Sequence, residues 1–159
     1  MNALYYFLDS SAVVKHYVAE KGSAWVDALV HPDAGNMIAI AQITVAEATA
    51  ALGRKLRAKA ISSSEFELAV KNMLRDTFEA FNVVELNQPI IQRAVNAIRR
   101  HPLRGYDAVQ LACALALNDA LAAAGEEPLI FVTADKILLA SAKAEGLQIE
   151  DPNCHETDQ

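Results

Sequence analysis

Leu4-Tyr5-Tyr6-Phe7-Leu8-Asp9-Ser10-Ser11-Ala12 is the stretch on which the fold turns. Five apolar or aromatic residues in a row end abruptly at an aspartate. The run is too short for a helix and shows no in/out alternation, so it reads as a strand buried on both faces. A strand of that kind belongs to a parallel sheet covered by helices on each side.

The rest of the chain supplies such a sheet. Helical patterns follow over Ser11–Val18 and Ser23–Val30, and Met37–Ala41 is a second apolar run. Thr44–Ala60 is amphipathic, with Val45, Ala48, Leu52 and Leu56 on one face. Ser62 to Ser64 then caps a long helix, about Ser64–Phe81, and Val83–Leu86 is a third strand. Pro89 suits the first turn of a helix reaching Arg100, which His101-Pro102-Leu103 breaks. Tyr106–Ala124 is apolar on nearly every side and is expected in the interior, closed by Gly125. Leu129–Val132 is a fourth strand, Asp135–Ala144 a helix closed by Gly146, and Leu147–Ile149 a short fifth strand. The expectation is an α/β/α sandwich around a parallel sheet of four to five strands, with residues 1–150 forming one domain and 151–159 a flexible tail.

Composition agrees with a globular chain: of 159 residues, 53% are hydrophobic and 21% charged, with no low-complexity tract or internal repeat. No run reaches the ~20 apolar residues that cross a bilayer, and Met1 to Phe7 lacks the features of a signal peptide, so a cytoplasmic protein is expected. Cys113 sits in an apolar helix and Cys154 near the end, and neither belongs to a disulfide or metal-ligand pattern. The net charge of −6 does not favour phosphate binding as a whole. Basic residues nevertheless gather at Arg54, Lys55, Arg57 and Lys59, and at Arg99, Arg100, His101 and Arg104, where they also suit helix C-termini.

Ligands of open parallel sheets bind outside the carboxyl ends of the strands. Four acidic residues fall there: Asp9 after the first strand, Glu47 in the first turn after the second, Asp107 at the start of the buried helix, and Asp135 after the fourth strand. Each has a local explanation. Thr44 and Glu47 match a capping box, Asp9 or Ser10 can cap the first helix, Asp135 the last, and Asp107 complements a helix dipole. Capping does not explain convergence. Two carboxylates ~5 Å apart at an effective dielectric of ~20 repel by roughly 3 kcal/mol, against ~1 kcal/mol for a cap. A cluster held against that repulsion calls for a hard divalent cation such as Mg²⁺ or Mn²⁺.

Leu8-Asp9-Ser10-Ser11-Ala12, Ile43-Thr44-Val45-Ala46-Glu47, Arg104-Gly105-Tyr106-Asp107-Ala108-Val109-Gln110-Leu111-Ala112 and Thr133-Ala134-Asp135, in that order, resemble the PIN domain, most closely its VapC-type toxins. Gly105 departs from the alanine of that pattern. The resemblance covers the chain to about Ile149 and implies a Mg²⁺- or Mn²⁺-dependent endoribonuclease, an antitoxin that inserts a segment into the acidic site, and a homodimer. Residue by residue, it implies that Asp9 and Asp107 are the principal metal ligands, with Glu47 and Asp135 as the other acidic members. Ser10 and Thr133 are then supporting hydroxyls, and Arg104 a phosphate contact to RNA. None of His16, His31, His101 and His155 has a spacing that marks a general base.

Rival readings are weaker. A dehalogenase-type phosphatase needs a second aspartate where Ser11 stands, and a receiver domain needs an acidic pair after the first strand. A catalytically silent PIN-like binding or scaffold module would have no reason to keep four mutually repelling carboxylates.

Overall fold

The computed structural model describes residues 3–155. Its elements run β1 (Tyr5–Leu8), α1 (Ser10–Tyr17), α2 (Ser23–Val30), β2 (Met37–Ala41), α3 (Thr44–Arg57), α4 (Ser63–Glu79), β3 (Asn82–Val84), α5 (Gln88–Arg100), α6 (Gly105–Ala123), β4 (Ile130–Val132), α7 (Lys136–Ala144) and β5 (Gln148–Glu150), with short 3₁₀ turns at Pro32–Ala34 and Pro152–Cys154. The five strands form one sheet in the order β3-β2-β1-β4-β5, and every pairing is parallel.

Successive strand residues point to opposite faces, and the two cores divide accordingly. Phe7, Ala39, Ala41 and Phe131 face α5, α6 and α7, whereas Leu8, Ile38, Ile40 and Val132 face α1 to α4. Phe7 and Phe131, adjacent across the β1–β4 pairing, stack with ring centroids 5.7 Å apart. The result is the three-layer α/β/α sandwich. Alanines at 94, 97, 108, 112 and 114, all buried, give α5 and α6 small surfaces for close packing in the layer behind β1 and β2. Among the described residues, no helix is long and apolar enough to cross a membrane.

Several boundaries differ from the sequence expectation. The strand expected over Val83–Leu86 ends at Val84, because β2, its neighbour among the described residues, ends at the paired Ala41, and the Leu86 amide donates instead to the Gln42 side chain (3.0 Å). The capping box expected at Thr44 and Glu47 does not form: the residue before α3 is Ile43, with no side-chain cap, and the Glu47 carboxylate turns to another partner. A capping box does form at Ser62 and Glu65. The expected loose tail is also corrected in part. Asp151 caps the 3₁₀ turn at Pro152–Cys154, Pro152 is buried, and His155 stacks on Trp25 of α2 at 4.3 Å. Residues 156–159 of that tail lie outside the described residues.

Candidate active site

The strand order reverses direction beside β1: β2 and β3 lie to one side, β4 and β5 to the other. That is the switch point at which an open parallel sheet leaves a crevice beyond its strand ends. Asp9 follows β1 directly, its amide extending the ladder to Val132 O (3.1 Å), and Thr133, Ala134 and Asp135 follow β4. The first turns of α3 and α6 bring Glu47 and Asp107 to the same place. Ser10, Glu47, Asp107 and Asp135 line one groove of about 780 Å³, and Asp9, 3% exposed, is buried behind it.

A hydroxyl network holds Asp9. Ser11 Oγ donates to Oδ1 (2.7 Å), the Ala12 amide donates to the same oxygen (3.0 Å), and Thr133 Oγ1 donates to Oδ2. Ser11 Oγ in turn accepts from the Ala134 amide and Thr133 Oγ1 from the Asp135 amide, each at 3.0 Å, so the loops after β1 and β4 are tied together through the aspartate. Asp9 therefore caps α1 and belongs to the site at once, as does Asp135, whose Oδ1 accepts from the Leu138 amide (2.9 Å). Glu47 accepts from Gln110 Nε2 (2.8 Å) and is also hydrogen-bonded by Ser10.

Burial, with a smaller contribution from the charge of Asp107, raises the Asp9 carboxyl to about 6 against the stabilising bonds from Thr133, Ser11 and Ala12. Burial likewise raises Glu47, offset by its bond from Gln110 and reinforced by Asp107. Asp107 is raised by burial and by Asp135, and lowered by Arg104. Asp107 thus lies within electrostatic reach of all three other carboxylates, which is the convergence that capping alone does not explain.

The donor set is all oxygen, which suits a hard divalent cation. Glu47, Asp107 and Asp135 in the groove, with Asp9 buried behind it, are the residues that would hold it. They do not form a closed shell: among the described residues, no three acidic, His or Cys side chains are arranged to grip one ion. Asp9, Glu47 and Asp135 each accept from a donor of the fold, which holds those three carboxylates in place around Asp107.

Lys15, Arg54, Lys55 and Arg104 line the same groove, so one acidic site has a basic border. Glu20 bridges Lys15 (3.1 Å) and Lys55 (2.8 Å). Of the two basic clusters in the sequence, Arg54, Lys55 and Arg104 reach the groove, whereas Arg100 and His101 pair with Glu145 of the α7 end at 2.7 and 2.8 Å. None of the four histidines lines the groove. Cys113 is buried in α6, its thiol pushed up to about 12 by desolvation.

Residues 6–140 match the model of the PIN domain, a span that contains all four carboxylates. The chain belongs to the PIN-domain family. Among its relatives are ribonucleases VapC45 and VapC49 of Mycobacterium tuberculosis, each 34% identical over 143 residues, 90% of this chain and 92% of the relative. Solved structures share the fold. PAE2754 of Pyrobaculum aerophilum has a TM-score of 0.63 at 22% identity, over 95% of this chain and 85% of that one. VapBC2 of Rickettsia felis, bound to a DNA fragment from its promoter, has 0.61 at 14%, over 93% and 98%.

Ser11, Gln110 and Lys15 were not singled out as site residues in the sequence. The sequence carries a signal for two of them: Ser11 lies two residues beyond Asp9, and Gln110 is the one amide in the otherwise apolar stretch 108–117, one turn after Asp107. Lys15 is masked by its position in an ordinary helical pattern; only the fold shows its ammonium group reaching Glu20 and the Lys21 carbonyl (2.6 Å).

Proposed function

We propose that this protein is a divalent-metal-dependent endoribonuclease that hydrolyses RNA phosphodiester bonds and acts as the toxin of a toxin–antitoxin pair. The observation that carries the reading is the electrostatic coupling of Asp107 to Asp9, Glu47 and Asp135 around one groove at the switch point. The 34% identity to two VapC ribonucleases supports the substrate class. In this reading Asp9 and Asp107 are the main ligands of Mg²⁺ or Mn²⁺, with Glu47 and Asp135 completing the acidic set.

When bound, the ion supplies an acidified water and neutralises charge on the scissile phosphate. The protein's own residues orient and exclude. Ser11 and Thr133 fix both oxygens of Asp9 and resist its protonation, Arg104 offsets the charge of Asp107, and Arg54 offers a cation to a neighbouring phosphate. An antitoxin and a homodimer belong to the same reading. Exposed apolar side chains on α4 (Leu68, Leu74, Phe78) and α5 (Ile91, Val95, Ile98) offer surfaces for such contacts.

Cleavage of RNA should require Mg²⁺ or Mn²⁺ and stop in EDTA, and millimolar metal should raise the melting temperature of the wild type by mass action. Asp107→Asn should lose both effects. A wild type that neither cleaves RNA nor responds to either ion by melting or titration overturns the proposal. Induced expression should arrest growth, relieved by co-expressing a small protein encoded next to the gene.

A further inference from the structure

Gln110 lies in the interior, 1% exposed, yet carries a full amide into a helix otherwise lined with alanine, leucine and cysteine. Its Nε2 makes two bonds, to Glu47 Oε1 (2.8 Å) and to Thr44 Oγ1 (2.7 Å). Its Oε1 is buried with no partner. The amide cannot be turned over to satisfy that oxygen, because doing so would aim an acceptor at a carboxylate. A buried amide kept with one end unpartnered is unfavourable for stability, since an apolar side chain of similar shape would avoid it. Its retention needs a reason other than packing.

Geometry supplies the reason. Gln110 stands one turn after Asp107, so both lie on the same face of α6. Asp107 delivers its carboxylate to the groove while Gln110 reaches across to the first turn of α3, gripping residues 44 and 47 of one helical turn. We infer that Gln110 is a positioning residue: its amide fixes the Glu47 carboxylate relative to Asp107 and so sets the separation of two carboxylates that are otherwise on different helices. The inference rests on the proposed role of Glu47. Hydrogen-bond partners of ligating carboxylates orient them, and removing such a partner typically costs about 10- to 100-fold in metal affinity or activity.

Gln110→Met keeps the shape and deletes both ends of the amide. It should melt at or above the wild-type temperature in EDTA, while Mn²⁺ binding by calorimetry weakens at least 10-fold and RNA cleavage falls about as much through kcat rather than KM. Gln110→Glu, which sets a carboxylate against Glu47, should lower cleavage further. Glu47→Gln should lose metal affinity by itself, and adding Gln110→Met to it should weaken Mn²⁺ binding no further, because Gln110 acts through Glu47. A Gln110→Met protein that binds Mn²⁺ like the wild type overturns the inference when Glu47→Gln is defective. An undiminished Glu47→Gln overturns instead the role given to Glu47, and the inference with it. A Gln110→Met protein that melts well below wild type and loses metal affinity only in proportion marks a structural amide and likewise overturns it. Should Gln110→Met fail to fold, Gln110→Leu is read the same way.

Discussion

Asp9 is where burial and chemistry oppose each other most directly. Its carboxyl is raised to about 6, chiefly by desolvation, from an unfolded value near the ordinary ~3.9 of an aspartate. A group whose folded value is raised binds its proton more tightly in the folded state, so its contribution is favourable below the unfolded value and is lost as pH rises through the folded one. The metal-free protein should therefore lose stability between about pH 4 and pH 6, by an amount on the order of 3 kcal/mol at most. Asp9→Asn should flatten that slope and leave the metal-free protein about 1 kcal/mol more stable at pH 7, because the amide still accepts from Ala12 while the buried charge is gone. Denaturant melts in EDTA across this range check it. A mutant that is less stable at pH 7 would mean that the cap and the hydroxyl network outweigh the charge. Metal loading runs the other way, weakening as pH falls below about 6 because the proton competes for the same oxygens. All four carboxylates were legible in the sequence, since strand ends and first turns are marked by local pattern. The partner of Glu47 was not, because Thr44 and Glu47 have the spacing of a capping box and only the arrival of α6 shows that Gln110 binds both.

The sheet and helices follow from local signals: apolar runs for strands, Ser62 and Asn87 for caps, and Pro89 for a helix start. What local pattern does not carry is which segments distant in sequence pack on each other. The turn Pro152–Cys154 packs on α2 through contacts far apart in sequence, and its polar composition reads as a tail. Gly22 is the other half of that contact. It adopts φ +84°, and a Cβ there would stand 2.7 Å from the carbonyl oxygen of Pro152, a backbone atom that cannot swing aside. Gly22→Ala should therefore destabilise the protein by roughly 1–3 kcal/mol, from left-handed strain plus displacement of the C-terminal turn. Trp25 is the sole tryptophan and stacks on His155 at 4.3 Å, so its emission should shift as that turn lifts, before global unfolding. An unchanged melting temperature and unchanged emission would show that the turn yields without cost. The site should be nearly indifferent to this change, since the contact lies on α2 and no member of it lines the groove.

Taken whole, the molecule carries a net charge of −6, which predicts weak attraction to RNA, yet its groove presents Lys15, Arg54, Lys55 and Arg104 around the carboxylates. Screening decides which field matters. At ~0.15 M salt the Debye length is about 8 Å, so distant acidic surface is largely masked while cations within the groove still meet a phosphate. Lys15 and Lys55 are partly neutralised by Glu20, which leaves Arg54 and Arg104 as the cations expected to dominate. Each phosphate contact releases counterions and contributes about 0.7 to the slope of log affinity against log salt for a single strand. Arg54→Gln and Arg104→Gln should each weaken RNA binding and flatten that slope by about 0.7, with the double variant near twice that. Binding must be measured with the cleavage-deficient Asp107→Asn background so that the substrate survives. Arg99→Gln, on the exposed end of α5 outside the groove, is the control and should leave the slope unchanged. If Arg99→Gln flattens the slope as much as the groove variants, RNA is attracted by basic surface in general. If none of the three changes it, phosphate recognition resides elsewhere on the molecule.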